Sequence, residues 1–183
     1  MSCRSAILID NFLDQSKFDN LSAKVAASSA YNTTTVQDLR DDLFTEVYTA
    51  VFDRLKEIGL HQPHFDESVK LFGYNQFRPA NEGYGNFNGP HFDHGGYVFY
   101  IHPHWDESWE GKIKITNADE EEYRNGIYAK PNRFIWIDPG TYHDVTTTAS
   151  NTTHARVANI AFLGGDIHVD PSGTSFINIT TTS

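Results

Sequence analysis

Five short strand-like runs fill the second half of this 183-residue chain and constrain its fold more than any other feature. They are rich in β-branched and aromatic residues, and turn residues separate them. Residues 133–137 are almost entirely apolar and predict a strand buried on both faces, whereas residues 112–115 alternate lysine with isoleucine and predict one wet face. The other runs are residues 69–74, 97–101 and 156–163. This pattern predicts a two-layer sandwich or barrel of β-strands.

Helical periodicity is confined to the first third of the chain. A short strand is predicted at residues 7–9, and apolar residues recur at helical spacing between residues 18 and 25. A longer amphipathic helix is predicted to run from Thr35, which resembles a capping-box residue with Asp38, to Gly59. Its apolar face is about six turns long. We therefore expect this helix to cover an outer face of the sheets.

A single domain is expected over residues 1–183, with a helical part at about 10–60 and a β core at about 66–165, because no linker-like stretch separates two cores. The 24 acidic residues outnumber the 14 basic ones and give a formal net charge of -10. This is the wrong sign for a phosphate-binding surface, so we expect no nucleic-acid partner.

The start of the chain contains no signal-peptide-like segment. Its apolar run, residues 7–9, is interrupted at Asp10 and is far too short to cross a membrane. The single cysteine, Cys3, cannot form an intramolecular disulfide. We therefore expect a soluble, cytoplasmic protein that makes no membrane contact.

The histidines of this chain are clustered. Four of the nine fall within residues 91–104. In His91-Phe92-Asp93 the imidazole and the carboxylate are two residues apart, so on a strand both project from one face. His143 follows a turn after the buried strand and could supply a third ligand. Two histidines and one carboxylate on one face of an octahedral metal select non-haem Fe(II), although a His-x-Asp pair alone is more often only a hydrogen-bonded pair.

A cation interrupts the last strand-like run. Arg156 lies in an otherwise mostly apolar segment, and a buried guanidinium must be paired. Its planar fork suits a carboxylate, which it can bind through two parallel hydrogen bonds. A diacid held at its far end by Arg156 could reach the metal with its other end.

Several further segments occur in a characteristic order around these residues. They are residues 7–13, 97–101 leading into 105–111, and 130–137. With the histidines, Asp93 and Arg156, this order resembles the Fe(II)- and 2-oxoglutarate-dependent dioxygenases, and within them the prolyl 4-hydroxylase-like branch. The resemblance implies a mainly β fold that also contains α-helices. Its core would be a double-stranded β-helix (jelly roll), with N-terminal helices packed on one sheet. It also implies an oxidoreductase that couples oxidation of 2-oxoglutarate to succinate and carbon dioxide with hydroxylation of an unactivated carbon.

The resemblance also implies roles for individual residues. His91, Asp93 and His143 would bind Fe(II), Arg156 would pair with the distal carboxylate of 2-oxoglutarate, and Tyr100 would hydrogen-bond the same end. The implied co-substrates are 2-oxoglutarate and O2, and ascorbate is a candidate further cofactor. Related halogenases need a small residue in place of Asp93, so hydroxylation is the implied outcome.

One position departs from the branch. Phe77 stands where a tyrosine is usual on the strand before the iron motif, so that hydroxyl is either missing or supplied by Tyr74. Residues 81–89 form a glycine-rich loop, and its rings Tyr84 and Phe87 could close over a bound substrate as a lid. A plain surface connection is the alternative for this loop.

The expected substrate is a prolyl residue in a peptide or protein, because the match extends to Trp105 and residues 130–134. A free amino acid or another small metabolite is the alternative substrate. Outside the enzymes, the alternative is a non-catalytic jelly-roll binding module. A cupin-like metal protein would carry a different motif, two histidines followed by a glutamate, where this chain has Asp93. The sequence leaves the oligomeric state open.

Two further pairs of residues have alternative interpretations. His102 and His104 are two residues apart, but Pro103 between them implies a strand end, so we expect the rim of a turn rather than a second metal site. Trp105 and Trp109 are either packing residues or an aromatic wall for the substrate.

Overall fold

The computed structural model describes residues 6–61, 73–80, 88–91, 95–116, 118–138 and 141–162, with the backbone alone at residues 88–91 and 162. This part of the chain contains nine strands and three α-helices. The strands are β1 (Ala6–Ile9), β2 (Gln37–Leu39), β3 (Tyr74–Arg78), β4 (Asn88–His91), β5 (Gly96–Tyr100), β6 (Ile113–Ile115), β7 (Phe134–Ile137), β8 (His143–Val145) and β9 (Arg156–Phe162). The helices are α1 (Gln15–Ala27), α2 (Asp42–Glu57) and α3 (Glu121–Asn125). Over these same residues, no helix combines the length and the apolar character that a membrane crossing requires.

The strands form two sheets in which every described pairing is antiparallel. The larger sheet has six strands in the order β1-β7-β5-β9-β3-β2, and the smaller sheet has the order β4-β8-β6. The expected β-rich fold accompanied by a few helices is confirmed.

Successive residues of the central strands divide between two apolar clusters, as the two-residue period of a strand requires. Phe99 of β5 and Trp136 of β7 belong to a cluster with the buried faces of α1 and α2. Tyr100 and Ile135, one residue away in each strand, belong to a second cluster with Ile115 of β6. The helices therefore cover one face of the larger sheet and the smaller sheet covers the other, which confirms the predicted position of the long helix.

The predicted exposure of two strands is also confirmed. All four residues of β7 are buried. In β6 the isoleucines are buried, while Lys112 and Lys114 are partly exposed. Strand β6 thus has one wet face, and β7 has none.

The second helix begins later than the sequence pattern predicts. The carboxylate of Asp41 accepts a hydrogen bond of 3.0 Å from the Phe44 N–H and caps α2, so the capping box predicted at Thr35 is wrong. Residues 37–39 form β2, in which Leu39 lies opposite Asn75 of β3. The apolar spacing of this segment favours a helix, but its hydrogen bonds to β3 make it a strand. Tertiary pairing therefore outweighs local periodicity here.

Asn132 ties the N-terminal segment to the central strands. Its side chain accepts a 2.9 Å hydrogen bond from the Leu13 N–H and donates one of 2.8 Å to the Leu13 carbonyl. Its own carbonyl accepts from the Phe12 N–H at 3.0 Å. Asn132 is buried with φ at 61°, in the left-handed region that asparagine tolerates better than most residues. These bonds hold the Phe12 ring stacked on Phe134, with centroids 4.5 Å apart.

Arg133, the next residue, adds an ion pair to the same connection. Its Nε and Nη2 donate to the two carboxylate oxygens of Asp10 at 2.7 and 3.0 Å. The buried guanidinium also lies over the Tyr128 ring, 5.0 Å from its centroid. The hydrogen bonds from Arg133 hold the pKa of Asp10 below its usual value. Two consecutive residues therefore fix the segment between β1 and α1.

His102 is buried inside the protein, so its predicted place at the rim of a turn is wrong. Its Nε2 lies 2.5 Å from the Ala129 carbonyl oxygen and its Nδ1 lies 3.0 Å from the Val157 backbone nitrogen. These partners assign a neutral ring in which Nε2–H donates and Nδ1 accepts. The ring thus accepts a hydrogen bond from Val157 of β9, two residues after β5 ends at Tyr100. This bond holds the side chain of His102 inside the protein. His104, by contrast, is exposed.

We predict that Asn132→Ala lowers the free energy of unfolding by about 2–4 kcal/mol. The substitution leaves a buried N–H and a buried carbonyl of Leu13 without partners, at about 1–3 kcal/mol each. Denaturant titration followed by tryptophan fluorescence measures the change. Asn125→Ala, at the exposed end of α3, is the control and should change stability by less than about 0.5 kcal/mol. Equal stability of Asn132→Ala and the parent protein would contradict this role.

We also predict that stability falls as the pH drops from about 6.5 to about 4. Burial lowers the pKa of His102 to about 4, whereas an unfolded histidine titrates near 6.5. In this window the unfolded chain binds the proton and the folded chain does not. The free energy of unfolding is therefore highest above pH 6.5 and falls by up to about 3 kcal/mol as the pH drops to 4. Unfolding free energies across the window should show a smaller pH dependence in His102→Gln and an unchanged one in His104→Gln.

Candidate active site

A cavity of about 110 Å³ lies between the two sheets. Its apolar lining includes Ile113, Ile137 and Ile160, which belong to the cluster on the side of the larger sheet away from the helices. The volume is several times what a single water molecule needs. Among the described residues that line it, those with polar side chains are Tyr74, Gln76, Arg78, Tyr97, Tyr100, His143 and Arg156.

Arg156 places a cation on the wall of this cavity. It is the first residue of β9 and is buried, which confirms the burial expected from its apolar surroundings in the sequence. Its Nη1 donates a 2.8 Å hydrogen bond to the Gly111 carbonyl. This bond to a neutral oxygen orients the guanidinium.

The loop that supports Arg156 requires a glycine. Gly111 has φ at 68°, and Glu110 before it has φ at 58°. The Trp105 indole N–H donates to the Glu110 carbonyl at 3.3 Å. A Cβ added at Gly111 would lie 3.1 Å from Nη1 of Arg156 and 3.3 Å from the Trp105 ring. Any larger residue would therefore displace either the guanidinium or the indole.

Tyr100 brings a hydroxyl group to the same cavity from β5. It is fully buried and lies opposite Ala158, two residues after Arg156 in β9. Burial raises the pKa of Tyr100, while the nearby positive charge of Arg156 opposes this rise. The hydroxyl is thus protonated at neutral pH and can donate a hydrogen bond.

His143 reaches the cavity from the smaller sheet. It is the first residue of β8 and is buried, and its Nδ1 lies 2.8 Å from the Thr141 carbonyl oxygen. A carbonyl only accepts, so Nδ1–H donates this bond, and in the neutral ring Nε2 has the lone pair. A backbone carbonyl that holds one ring nitrogen in this way leaves the other as a metal ligand in many sites. The Cα of His143 lies opposite that of His91 in β4.

The rest of the predicted metal site and lid lies outside the described residues. This applies to the side chain of His91, to Asp93, and to Tyr84 and Phe87. Within the part that is described, no group of three or more His, Cys, Asp or Glu residues is placed to hold a metal. The iron site therefore stays a prediction, and His143 is the one proposed ligand whose side chain the structure places.

The two tryptophans pack inside the protein. Trp105 and Trp109 are buried in the second apolar cluster, and their rings meet edge to face with centroids 5.3 Å apart. Neither residue lines the cavity. The structure thus favours the packing interpretation over a substrate wall, with Trp105 bracing the loop that holds Arg156.

Strand β3 places Phe77 and Tyr74 on opposite faces of the larger sheet. The Phe77 side chain is buried in the cluster on the helix side of the sheet, so the residues of β3 that line the cavity are Tyr74, Gln76 and Arg78. Burial raises the pKa of Tyr74 to about 12, so its hydroxyl is protonated at the edge of the cavity. Sequence reasoning missed Arg78, although the two-residue period counted from a buried Phe77 would have indicated it.

Comparisons with known proteins give a result for the fold alone. No protein-family model matches the sequence, and no curated protein matches it. Solved structures do match over most of the chain. A prolyl-4-hydroxylase from Pseudomonas putida superposes with a TM-score of 0.55 and 14% identity, over 88% of this chain and 94% of the other.

Two further structures share this architecture. A prolyl hydroxylase from Trichoplax adhaerens, in complex with a hypoxia inducible factor oxygen degradation domain peptide fragment, has a TM-score of 0.52 and 13% identity, over 87% of this chain and 84% of that one. NgTET1 in complex with 5mC DNA has a TM-score of 0.53 and 11% identity, over 98% of this chain and 81% of that one. The chain therefore has a prolyl hydroxylase-like fold.

Proposed function

We propose that this protein is an Fe(II)- and 2-oxoglutarate-dependent dioxygenase that hydroxylates prolyl residues in a peptide or protein. The observation that carries the proposal is the meeting of Arg156, Tyr100 and His143 at one cavity between two sheets. The prolyl hydroxylase-like fold supports the same chemistry. In this proposal the two sheets are those of a double-stranded β-helix.

The chemistry of the cavity fits a dicarboxylate. The buried guanidinium of Arg156 can bind a carboxylate through charge-assisted hydrogen bonds, and the protonated hydroxyl of Tyr100 can donate to the same group. The isoleucines of the lining suit the methylene carbons between two carboxylates. We therefore assign the Arg156 end of the cavity to the distal carboxylate of 2-oxoglutarate.

The donor atoms on the smaller sheet fit iron. His143 presents an imidazole oriented by the Thr141 carbonyl, and β4 brings the backbone of His91 opposite it. Fe(II) would be held by His91, Asp93 and His143, a ligand set typical of non-haem iron oxygenases. When bound, iron supplies the O2 chemistry that oxidises 2-oxoglutarate and hydroxylates an unactivated carbon.

The protein's own groups would orient the reactants and exclude water. Arg156 fixes the far end of the co-substrate, and Gly111 fixes Arg156. The Thr141 carbonyl holds the tautomer of His143. The apolar lining keeps the charged groups in a medium of low dielectric, where their interactions are stronger than in water.

A peptide is the substrate that we favour. The Trichoplax adhaerens structure holds a peptide, which supports such a substrate for this fold. NgTET1 holds DNA, but the formal net charge of -10 here opposes binding to a polyanion. The same charge favours peptides with neutral or basic flanking residues.

The test is anaerobic reconstitution with Fe(II) and 2-oxoglutarate, followed by exposure to oxygen with a panel of substrates. The panel contains proline peptides with basic or acidic flanks, free proline and other amino acids. We predict succinate formation that depends on Fe(II), with hydroxylated peptide detected by mass spectrometry. His143→Ala and Asp93→Ala should abolish succinate formation, because each removes an iron ligand, while His104→Ala should retain it.

The outcomes separate the alternatives. Turnover at the parent rate in both ligand variants would show that the iron site is assigned wrongly. Hydroxylation of free amino acids alone would identify a small-molecule hydroxylase. No succinate from the intact protein with any substrate would favour a binding module.

We further predict that Arg156→Gln weakens binding of 2-oxoglutarate by on the order of 2–5 kcal/mol, because it removes a buried charge-assisted pair. Gly111→Ala should weaken it in the same direction, since its Cβ would crowd Nη1 of Arg156. Tyr100→Phe should show a smaller loss. Calorimetric titration of 2-oxoglutarate measures these changes, and metal affinity should stay the same.

Lys114→Gln provides the matched control for these variants. It also removes one positive charge, but on the wet face of β6 and outside the cavity. Its affinity for 2-oxoglutarate should equal that of the parent. An Arg156→Gln protein that behaves like Lys114→Gln would remove Arg156 from the site.

A further inference from the structure

Two histidines from distant parts of the chain lie side by side, one in the loop after β5 and the other just before β9. His104 is exposed, His154 is partly exposed, and neither lines the cavity between the sheets. Their ring centroids are 5.5 Å apart, and the ring planes meet at 73°. Two imidazoles that share one tetrahedral Zn(II) have centroids about 5.2 Å apart, because each zinc–nitrogen bond is about 2.0–2.1 Å long. The spacing of the pair is therefore close to that of two ligands of one ion.

Trp109 holds both rings in place. His154 stacks on the buried indole with centroids 5.3 Å apart and an angle of 16° between the planes. His104 meets the same indole at 88°, also with centroids 5.3 Å apart. The Trp109 carbonyl accepts a 2.8 Å hydrogen bond from the Ala149 N–H, which ties the segment before β9 to the loop that carries the indole. The two imidazoles are thus pre-organised, so little side-chain entropy is lost when they bind a ligand.

The ring nitrogens of this pair suit a metal. Nδ1 of His154 lies 2.8 Å from the Thr153 hydroxyl oxygen. A hydroxyl can accept as well as donate, so it can hold Nδ1–H and leave the lone pair of Nε2 for a metal, as in many histidine sites. Neither nitrogen of His104 forms a hydrogen bond within the described part of the chain. His102, by contrast, uses both ring nitrogens for backbone groups, so His154 is the partner of His104.

The charge near the two rings favours a cation. The Asp106 carboxylate accepts from the Ser108 N–H and hydroxyl at 2.9 and 2.6 Å. These hydrogen bonds, together with the nearby His104, lower the pKa of Asp106, so this carboxylate is ionised at neutral pH. The formal net charge of -10 acts in the same direction. Among divalent cations, imidazole prefers zinc, copper, nickel and iron over calcium and magnesium.

We propose that His104 and His154 form a second metal site, which binds Zn(II) with water in the remaining positions. In the described part of the chain no third His, Cys, Asp or Glu completes the set, so the bound ion exchanges readily. The site lies apart from the cavity and does not depend on the proposed function. An ion held by both rings joins the loop after β5 to the start of β9. Because the unfolded chain does not bring the rings together, the ion stabilises the folded protein.

The test follows two metals with different signals. Zn(II) is titrated calorimetrically into the full chain, and thermal unfolding is recorded with and without it. Co(II) occupies zinc sites and quenches the fluorescence of a neighbouring indole, so it reports binding next to Trp109. Each titration is made with the parent and with a chain that carries Asp93→Ala and His143→Ala, which removes two of the three proposed iron ligands.

Three single variants are compared in both backgrounds. His104→Gln and His154→Gln each remove one proposed ligand. His61→Gln is the matched control, because His61 is also a partly exposed imidazole against an aromatic ring, that of Phe52, at 5.4 Å. All three substitutions remove one imidazole and leave the chain length and the formal charge unchanged.

We predict that His104→Gln and His154→Gln each weaken Zn(II) binding at this site by about 100-fold or more, because one ring alone lacks the effective concentration that the other supplies. Quenching by Co(II) and the rise in unfolding temperature with Zn(II) should disappear in both variants. His61→Gln should stay within about twofold of its background. If His154→Gln does not fold, His104→Gln supplies the measurement, since this side chain is exposed.

Three results would overturn the proposal. Unchanged Zn(II) affinity and Co(II) quenching in His104→Gln reject a site shared by the two rings. An equal loss in His61→Gln shows adventitious binding to surface imidazoles only. If Asp93→Ala and His143→Ala together remove all Zn(II) binding, the metal belongs to the proposed iron site, and that result leaves the proposed function intact.

Discussion

The hydrogen bond between the buried His102 ring and the backbone of Val157 supports much of the site. Val157 follows Arg156, and its carbonyl accepts from the Ile101 N–H at 3.0 Å, so both of its peptide groups are fixed by the chain that leaves β5. The start of β9 is thereby held beyond the last residue of β5. The cavity wall that carries Arg156 depends on this neutral imidazole, while the second nitrogen of the ring secures Ala129. Protonation of the ring would remove this acceptor, and burial opposes protonation by lowering the pKa of His102.

Much of the fold follows from the sequence because strands and amphipathic helices have simple periods. The alternation of β6, the fully apolar β7 and the single cation of β9 were each visible in the residues. What could not be predicted depends on partners far away in the chain. In the segment at residues 37–39, Leu39 lies at helical spacing from Val36 and Leu43, and only the pairing with β3 makes the segment a strand. The inward turn at His102 likewise depends on acceptors and donors at Ala129 and Val157.

The candidate site was predictable in the same uneven way. An arginine in an apolar strand suggests binding of a carboxylate, and the spacing around His143 suggests binding of a metal. The fold brings Arg156 and His143 to one cavity. Arg78 was hidden because its place at the cavity follows from which face Phe77 occupies, and that is decided by packing against the helices. The substrate is a separate matter, since the same architecture holds a peptide in one neighbour and DNA in another. The fold alone therefore does not determine the substrate.

The connection between the N-terminal segment and β7 has a consequence for how the protein forms. The bonds from Asn132 to Leu13 and from Arg133 to Asp10 span 119 and 123 residues. Strand β1 leaves the ribosome early, yet the strand that it pairs with, β7, ends only at Ile137. During synthesis β1 therefore lacks its partner strand until β7 has emerged. Contacts of such long sequence separation slow folding, so completion of the larger sheet is expected to be a late step.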